Sequence, residues 1–392
     1  MTPAARVQAA IEILDRIVAG QAAEQTLTGW ARGNRYAGSS DRVAIRDHVF
    51  DALRRRRSAA ALGGGETGRA LMIGLLRQRG EDLDAVFSGG PHAPGPLTER
   101  ERHTPDPGFQ MPEAVAADLP DWLLPLFRES LGDRAMAVAE ALRHRAPVFL
   151  RVNLGRATRE AAQSRLAAEG IATEPHPLAG SALLVTANAR RVQQGAAFQE
   201  GIVELQDAAS QAVVERIPLC DGDRILDYCA GGGGKSLALA ARANVRVFAH
   251  DIDPRRMTDL PARAKRAGVR IAQLTTDQTR TEAPFDIVLT DVPCSGSGSW
   301  RRAPEAKWTL TPDRLAELET WQSSILAQAS TLVRPGGYLV YATCSLMKRE
   351  NQDQIAHFLS GRTEWKQVDA LQLTPLDGGD GFYCAILRCN LR

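Results

Sequence analysis

No apolar run in the sequence approaches the roughly 20 residues that a membrane-spanning helix needs, so we expect no membrane association. The N-terminus, MTPAARVQAAIEILDRIVAG, lacks a basic start followed by an apolar core and a small-residue cleavage site. We therefore expect no secretion signal and a cytoplasmic protein. The net charge is only +2, which excludes no class of partner, although nucleic-acid binders are usually more basic, at least locally.

None of the six cysteines forms a CxxC pair, so a zinc site is not expected and we predict no bound metal. A cytoplasmic protein keeps its cysteines reduced. Most buried cysteines act as small hydrophobic residues, and we expect this role for Cys220, Cys384 and Cys389. Cys294 and Cys344 differ, because each follows the C-terminal end of an apolar strand.

Positive charge is concentrated near the N-terminus, where residues 1–60 contain ten arginines and six acidic residues. Four of these arginines form an unbroken run from Arg54 to Arg57. Such a run is either a solvated helix end or a contact to phosphate groups, and the sequence leaves both interpretations open.

The first half of the chain predicts two small modules joined by a linker. Helical spacing of apolar residues, beginning with Val7, Ile11 and Leu14, predicts an all-helical domain over 1–88. Glycine and proline then dominate, so 89–119 is predicted to be a linker. Helix-like stretches (121–145, 157–169) alternate with strand-like ones (148–153, 182–187), which predicts a small α+β module over 120–205.

Strands and helices alternate over 206–392, which predicts an α/β, doubly wound, Rossmann-like domain. The final segment GFYCAILRC is predicted to be a late strand at a sheet edge. The other predicted strands lie in RILDYCA (224–230), VRVFAHD (245–251), RIAQLTTD (270–277), FDIVLTDVP (285–293) and GGYLVYATC (336–344).

Four glycines, Gly231 to Gly234, follow the first of these strands, and they allow the backbone to approach a ligand at a helix N-terminus. The phosphate-binding pattern GxxxxGK[ST] fails, because its first glycine would be Cys229. The dinucleotide pattern GxGxxG fails, because its last position is Ser236. A nucleoside-type cofactor without a pyrophosphate fits better.

Three carboxylates, Asp251, Asp277 and Asp291, follow the later strands. Ligands of doubly wound sheets bind beyond the carboxyl ends of the strands, so these acids should converge on one crevice. Asp251 would accept hydrogen bonds from ribose hydroxyls there. An ordinary helix cap explains one such acid more easily than it explains all three.

Several segments carry a resemblance that is specific in its order: LDYCAGGGGK, AHDID, TTDQTR, FDIVLTDVPCSGSGSWRRAPEAKW and LVYATCS followed by EN. They resemble the RNA cytosine-5 methyltransferase family of the bacterial Sun/Fmu (RsmB) proteins and their eukaryotic nucleolar relatives. The resemblance extends from about residue 205 to the end. The chain also resembles the part of the family that precedes the catalytic core, in three segments: PDWL (120–123), LRVN (150–153) and VELQDAASQ (203–211).

The resemblance implies that the chain methylates RNA at carbon 5 of cytosine with S-adenosylmethionine as cofactor. Cys344 would be the nucleophile, because carbon 5 is too electron-poor to attack a methyl group until a thiolate has added at carbon 6. Cys294 would help to remove the carbon-5 proton and release the product. Asp291 would hydrogen-bond the cytosine ring edge, and Lys235 would raise the thiolate fraction of Cys344.

The remaining implied contacts fall into two sets. The cofactor set places Asp251 at ribose, Asp277 at adenine and Asp291 near the methionine end, beside the loop residues Cys229, Ala230, Gly231, Gly232, Gly233, Gly234 and Lys235. The RNA-facing set is Arg301, Arg302 and Lys307.

Two departures from the family pattern bear on the cofactor loop. The family has CAAPGGK where this chain has Gly231 and Gly232, so the loop should be more flexible and could bind the cofactor more weakly. The usual DAPC is DVPC here, a mild change.

The substrate implied by analogy is small-subunit (16S) ribosomal RNA, with the target cytosine in a loop or flipped from its stack. Residues 1–88 resemble a short version of the antitermination-factor type of helical RNA-binding domain. We expect a monomer. Transfer RNA as the substrate and a catalytically impaired RNA-binding assembly factor remain alternatives. A nucleotide-dependent dehydrogenase is disfavoured by the failed GxGxxG and the paired cysteines.

Overall fold

The computed structural model describes residues 1–105 and 108–390, so two residues of the predicted linker and the last two of the chain lie outside it. The chain forms two compact units. The first comprises Met1–Arg145 and Trp300–Leu310, and the second comprises Ala146–Ser299 and Thr311–Arg392. The helices that follow the predicted linker therefore belong with the first unit.

The first unit is helical, as expected for residues 1–88. In α1 (Pro3–Val18) the Thr2 hydroxyl accepts from the Ala5 amide and Pro3 occupies the first turn, which together fix the helix start. None of the helices in the described ranges is long and apolar enough to cross a membrane. The other helices here are α2 Ala23–Gly33, α3 Ser39–Arg54, α4 Arg56–Gly63, α5 Gly68–Gln78, α6 Leu83–Val86, α7 Glu99–Arg102, α8 Glu113–Ala116, α9 Leu123–Leu131 and α10 Ala135–Leu142.

The arginine run bridges parts of the first unit. Each of its four side chains binds a protein group within that unit, so the run forms neither a solvated helix end nor a bare phosphate site. The contacts are Arg54 to the Arg301 carbonyl and Asp51, Arg55 to the Arg143 carbonyl, Arg56 to Glu66, and Arg57 to the Leu119 carbonyl and Asp121.

The second unit begins with a four-stranded antiparallel sheet in the order β2-β3-β1-β4. The predicted strands at 148–153 and 182–187 are both present. A core containing Leu150, Val152 and Leu166 packs the sheet against its helices. The elements are β1 Val148–Val152, α11 Arg159–Ala168, β2 Ala172–Pro175, β3 Ala182–Ala187, α12 Ala196–Gln199 and β4 Val203–Leu205.

A seven-stranded sheet in the order β10-β11-β9-β8-β5-β6-β7 forms the rest of the second unit. Strands β5 to β9 are parallel, and β11 runs antiparallel to both of its neighbours, β9 and β10. The elements are α13 Ala208–Arg216, β5 Arg224–Asp227, α14 Gly234–Ala240, β6 Arg246–Ala249, α15 Leu260–Ala267, β7 Ile271–Gln273, α16 Thr276–Glu282, β8 Phe285–Asp291, α17 Glu305–Thr309 (in the first unit), α18 Pro312–Ser330, β9 Val333–Thr343, α19 Gln352–Leu359, β10 Trp365–Leu373 and β11 Phe382–Cys389.

Successive residues of the central strands enter cores on opposite faces of this sheet. Ile225 packs in one core and Leu226 in the other. Both faces are therefore covered, as parallel sheets require, and the doubly wound Rossmann-like prediction is confirmed.

The predicted edge position of GFYCAILRC is wrong. This segment is β11, and it lies between β9 and β10. The edge strand on this side of the sheet is β10, which the sequence analysis did not identify. Most of its side chains are exposed or half-buried, so it lacks the apolar run that revealed its neighbours.

Helices α4 and α5 approach closely through glycines. A Cβ built on Gly74 would overlap the carbonyl of Ala59, and one on Gly63 would overlap the carbonyl of Ala70. Backbone atoms cannot move aside as a flexible side chain can, so this crossing depends on glycine at both positions.

We predict that Gly74→Ala lowers the free energy of unfolding by about 1–3 kcal/mol, because the added methyl group overpacks this crossing. Gly29→Ala is the matched control, because Gly29 lies in α2 with nothing within 4 Å of its Cβ position. That change should stabilise by about 0.5–1 kcal/mol through helix propensity. Urea unfolding followed by circular dichroism compares them, and equal effects would contradict the packing argument.

Candidate active site

The carboxyl ends of the parallel strands bring the predicted site residues to one edge of the large sheet. The chain runs from β5 to β6 on one side and returns to β8 on the other, so β5 and β8 flank the switch point where such sheets bind ligands. Asp227 ends β5 and Asp291 ends β8. Cys344 directly follows β9.

The two candidate catalytic cysteines meet at this edge. Asp291 pairs with Ala342 across β8 and β9, so the loops that leave these strands start side by side. Cys294 and Cys344 lie in those loops with their sulfur atoms 3.5 Å apart. The Ser299 hydroxyl lies 3.9 Å from the Cys344 sulfur. Both thiols are half-buried rather than enclosed in the core.

Glu350, which the sequence analysis did not single out, joins the two cysteine loops. Its fully buried carboxylate accepts from the Ser295 amide at 2.8 Å and from Gln322 Nε2 at 3.0 Å. The hydroxyl groups of Ser295 and Ser345 donate to its other oxygen. Each serine directly follows one cysteine, so a single carboxylate fixes both loops.

Two glycines hold the Cys294 loop against the start of β11. The Gly298 amide donates to the Cys344 carbonyl at 2.9 Å, and the Gly381 amide donates to the Gly298 carbonyl at 2.9 Å. A Cβ on either glycine would overlap the backbone of the other. The loop can therefore approach this closely only because neither residue has a side chain.

The surroundings of the two thiols shift their pKa values in opposite directions. The hydrogen bond between the two sulfur atoms, with the positive charge of Lys235 and the Ser299 hydroxyl, lowers the pKa of Cys344. The same interaction, together with burial, raises the pKa of Cys294 well above its usual value. The two pKa shifts therefore favour the thiolate at Cys344 and the neutral thiol at Cys294.

Lys235 supplies the positive charge at this site. Its ammonium nitrogen lies 2.6 Å from an Asp291 oxygen and 4.7 Å from the centre of the Phe382 ring. Burial alone would lower the pKa of Lys235, but the Asp291 carboxylate outweighs it, and the pKa is raised. The lysine therefore stays charged at neutral pH.

The glycine loop is tied to its surroundings through the backbone. The Gly231 amide donates to Asp251 at 2.9 Å, and the Gly232 carbonyl accepts from Arg263. Gly233 has φ +76°, and a Cβ there would overlap Leu260. These bonds hold the loop in place although it carries two glycines where the family has alanine and proline.

Asp251 and Asp277, the two other acids predicted at this edge, differ in exposure. Asp251 is buried and binds Arg256 at 3.1 Å as well as the loop. Asp277 is exposed in the first turn of α16, where the neighbouring Thr276 hydroxyl lies 3.0 Å from His250 Nε2. His250 directly precedes Asp251, so α16 begins beside the end of β6.

Asp227 is a site residue that the sequence analysis missed. Burial raises its pKa to about 7. The Ser236 hydroxyl donates to one carboxylate oxygen at 2.6 Å, but the other oxygen is buried and accepts no hydrogen bond from the described residues. A buried acceptor without a donor fits a ligand that carries positive charge or hydrogen-bond donors. Its position at the end of β5 was the available signal.

The three predicted RNA-facing residues lie in the first unit, whereas the cysteines lie in the second. Lys307 is 1% exposed, and its ammonium donates to the Arg54 carbonyl at 3.2 Å. Burial lowers the pKa of Lys307 to about 8. Arg301 is also buried, and Arg302 is exposed. The side chains of Lys307 and Arg301 therefore pack inside the protein, and the contact of these three residues with RNA stays a prediction.

The other cysteines divide by environment. Cys384 is buried as predicted, whereas Cys220 is exposed and Cys389 is half-buried, so the expectation of burial was wrong for Cys220. Cys220 follows the last helix before β5 in a surface turn. Burial raises the pKa of Cys229 well above its usual value, which keeps this thiol neutral beside the glycine loop.

We predict that Cys344 is alkylated by iodoacetamide at lower pH than Cys294, because only Cys344 has a lowered pKa. Replacing Cys294 by alanine removes the donor, so the midpoint for Cys344 should rise. Cys294→Ser, which keeps a donor, is the matched control. Peptide mass spectrometry across a pH series measures each cysteine separately. An unchanged Cys344 midpoint in Cys294→Ala would exclude the thiol–thiolate hydrogen bond.

Two family models match the chain. The model described as 16S rRNA methyltransferase RsmB/F matches residues 216–388. A model of the ferredoxin-like domain of RsmF/B-like methyltransferases matches residues 119–193. Together they cover more than half of the chain, and they include three of the four strands of the small antiparallel sheet and nearly all of the large sheet.

Similar solved structures share the fold. The crystal structure of PH0851 superposes with a TM-score of 0.74 at 22% identity and covers 99% of both chains. That of NSun6 from Pyrococcus horikoshii with SFG superposes with a TM-score of 0.62 at 18% identity, covering 69% of this chain and 98% of its own.

Curated relatives agree with the family models. The ribosomal RNA small subunit methyltransferase B of Erwinia tasmaniensis is 34% identical over 283 residues, which cover 68% of this chain and 66% of the relative. That of Vibrio cholerae is 35% identical over 281 residues, which cover 68% and 64%. The chain thus spans just under two thirds of the length of these relatives. It belongs to the RsmB/F family of S-adenosylmethionine-dependent methyltransferases.

Proposed function

We propose that the chain methylates carbon 5 of a cytosine in small-subunit ribosomal RNA, with S-adenosylmethionine as methyl donor. The observation that carries this proposal is the pair of thiols 3.5 Å apart at the ends of β8 and β9, one with a lowered pKa and one with a raised pKa. A reactive thiolate beside a protonated thiol suits a reaction that adds a nucleophile and later eliminates it.

Cys344 begins the reaction in this mechanism. Its thiolate forms a bond from sulfur to carbon 6 of the cytosine, and the electrons of the 5,6 double bond move so that carbon 5 becomes nucleophilic. S-adenosylmethionine, when bound, supplies the methyl group that carbon 5 takes, on a positively charged sulfur that is a good leaving group. Once Cys294 has given up its own thiol proton, its thiolate takes the carbon-5 proton. The electrons of the broken carbon–hydrogen bond restore the 5,6 double bond as the bond from carbon 6 to sulfur breaks, which returns Cys344 as a thiolate.

Cys294 serves the second half of the reaction. Its sulfur lies beside the attacking sulfur, within reach of the protons that move as the adduct breaks down. Asp291 ends β8, the strand that precedes Cys294, and one of its carboxylate oxygens lies 2.6 Å from the Lys235 ammonium nitrogen. We assign Asp291 to the ring edge of the cytosine, where it stabilises the protonated base during attack.

The crevice between the glycine loop and the strand ends would hold the cofactor. Asp251 would bind the ribose, residues 229–235 would pack along the ligand, and Asp277 would lie by the adenine. The unbonded oxygen of Asp227 suits the positive charge or the amino group of S-adenosylmethionine. Several carboxylates lie at this edge of the sheet, and their negative charge suits a cationic nucleoside.

Ribosomal RNA is the proposed substrate because the matched model and the curated relatives are ribosomal RNA methyltransferases. The target cytosine must leave any base stack, because carbon 6 cannot be reached inside a duplex. Transfer RNA and a purely binding role are outcomes that the experiment below separates.

The test is transfer of labelled methyl groups from S-adenosylmethionine to total RNA from a strain that lacks the gene, followed by nucleoside analysis and mapping. Label in 5-methylcytosine at one site of small-subunit ribosomal RNA supports the proposal. Label confined to transfer RNA would overturn the substrate assignment. No label, with no cofactor binding by calorimetry, would favour an RNA-binding assembly factor.

We predict that the two cysteine variants fail differently. Cys344→Ala should abolish methylation and leave no covalent RNA adduct, because no nucleophile remains. Cys294→Ala should accumulate the adduct, because addition still occurs and release fails. Denaturing gel electrophoresis with labelled RNA measures both. Equal, adduct-free loss in the two variants would exclude the two-cysteine mechanism, and Cys220→Ala, at an exposed cysteine, is the control that should change neither.

We predict that Glu350→Gln lowers kcat by about ten- to hundredfold, because a small displacement of reacting groups costs this much. The amide cannot accept from both serines and Gln322 at once, so the loops should separate. Asp353→Asn is the matched control, because Asp353 lies on α19 with a half-exposed side chain whose partner is Lys348. Steady-state kinetics and thermal melting are measured together. Full kcat in Glu350→Gln would show that this carboxylate does not position the cysteines.

A further inference from the structure

Two segments of the small antiparallel sheet take no part in the proposed reaction, although both belong to the resemblance found in the sequence. LRVN (150–153) includes the end of β1, and VELQ (203–206) includes β4. The two strands pair antiparallel, with Arg151 opposite Glu204. Both residues are buried, at 5% and 9% exposure. Charged side chains are seldom buried unless they are paired, so the partners of these two residues indicate what the segments do.

Arg151 reaches from the small sheet to the glycine loop that follows β5. Its Nη1 nitrogen donates to the Gly234 carbonyl at 2.8 Å and to Gln206 Oε1 at 2.5 Å. Gln206 directly follows β4, so a second strand of the small sheet orients the guanidinium. Burial lowers the pKa of Arg151 to about 10, although the Glu204 carboxylate opposes this shift. The arginine therefore stays charged at neutral pH, and a charged donor makes a stronger hydrogen bond to the loop carbonyl.

Glu204 acts on the same loop through helix α15. Its carboxylate lies 3.6 Å from Arg263 and 2.7 Å from Arg266, two arginines of that helix. Arg263 in turn donates to the Gly232 carbonyl. The small sheet therefore holds two carbonyl groups of the glycine loop, one directly through Arg151 and one through α15.

The glycine loop needs support of this kind, because four successive glycines carry no side chain that could restrain the backbone. Gly232 stands where the family pattern has proline, which would restrain the backbone by itself. Gly233 lies between the two held carbonyls and has φ +76°. The hydrogen bonds from Arg151 and Arg263 therefore supply, on either side of Gly233, a restraint that the loop sequence lacks.

We propose that Arg151 is a positioning residue for S-adenosylmethionine, and that the small antiparallel sheet is thereby part of the cofactor site. Together with Arg263, it holds the glycine loop in the conformation that binds the cofactor, so that less of the loop has to become ordered on binding. The inference rests on the proposed placement of the cofactor beside this loop. Neither arginine is assigned a contact with the cofactor itself.

The experiment measures binding of S-adenosylhomocysteine, the demethylated cofactor, to the full chain by isothermal titration calorimetry. Arg151→Met removes the donor and the charge, and its Kd should rise about ten- to thirtyfold, the range expected for loss of a hydrogen bond to a charged group. Glu204→Gln removes the charge beside Arg263, and its Kd should rise about three- to fivefold. Hydrogen exchange in the peptide that covers 229–240 should become faster in both variants.

Arg151→Lys tests whether the hydrogen bond to the loop is the important contact. Both hydrogen bonds of Arg151 come from one nitrogen, and its buried Nε has no hydrogen-bond partner among the described residues. A lysine ammonium can therefore donate to both acceptors, without an unpaired Nε–H. This variant should bind within about threefold of the parent chain, because the charged donor is kept. A Kd as high as that of Arg151→Met would overturn the proposal.

Arg242→Met is the matched control, because it removes an arginine that binds carbonyl groups at the other end of α14. Arg242 donates to the carbonyls of Val214, Glu215 and Ile217, none of which belongs to the glycine loop. Its loss should lower the melting temperature but leave the Kd within about twofold of the parent. If Arg151→Met also melted earlier but bound S-adenosylhomocysteine as tightly as the parent, the inference would be overturned, since the arginine would then be only structural.

Kinetics and binding together separate this inference from the proposed function. In the methylation assay, Arg151→Met should raise the KM for S-adenosylmethionine and leave kcat within about threefold of the parent value. A chain whose variants bind S-adenosylhomocysteine in the predicted order, but which methylates no RNA, loses only the proposed function. A chain that methylates RNA, but whose Arg151→Met variant keeps the affinity of the parent, loses only this inference. Failure of the parent chain to bind S-adenosylhomocysteine would overturn both.

Discussion

The buried carboxylate of Glu350 is the constraint on which the candidate active site depends. The two loops that leave these neighbouring parallel strands are joined by a backbone hydrogen bond from Gly298 to Cys344, but they lack the regular ladder of such bonds that joins the strands themselves. Glu350 replaces that ladder by accepting from Ser295 and Ser345, one residue beyond each cysteine. A buried charge is tolerated only when its hydrogen bonds are complete, so the loops cannot separate without exposing or stranding the carboxylate. The separation of the two sulfur atoms follows from this.

Each charged group beside the cysteines interacts with more than one neighbour. Lys235 neutralises Asp291 at 2.6 Å and lowers the pKa of Cys344. Asp291 in turn raises the pKa of Lys235 and would, alone, raise that of Cys344. The lysine therefore allows a carboxylate and a thiolate to lie at the same strand ends, where two unscreened negative charges would oppose each other.

The sequence predicted this site where local pattern decides position, and failed where distant packing decides it. Cysteines and acids directly after apolar strands could be placed, because parallel strands end at one edge. Glu350 could not, since its partners lie 55 and 5 residues away. The burial of Lys307 and Arg301 in the first unit could not be foreseen either, because charged side chains are seldom buried. Most side chains of β10 are exposed or half-buried, so no apolar run indicated this strand. Without β10, the sequence analysis placed β11 at the edge of the sheet.

The glycine loop shows how a weaker local sequence is held by its surroundings. Glycines at 231 and 232 cost more conformational entropy on ordering than alanine and proline would. The loop recovers order from a bond of the Gly231 amide to Asp251 and one of the Gly232 carbonyl to Arg263. Asp251 precedes α15, and Arg263 lies in it. The helix therefore contributes directly to the conformation of the glycine loop. The two glycines can therefore use their greater backbone freedom only when the hydrogen bonds to Asp251 and Arg263 are broken.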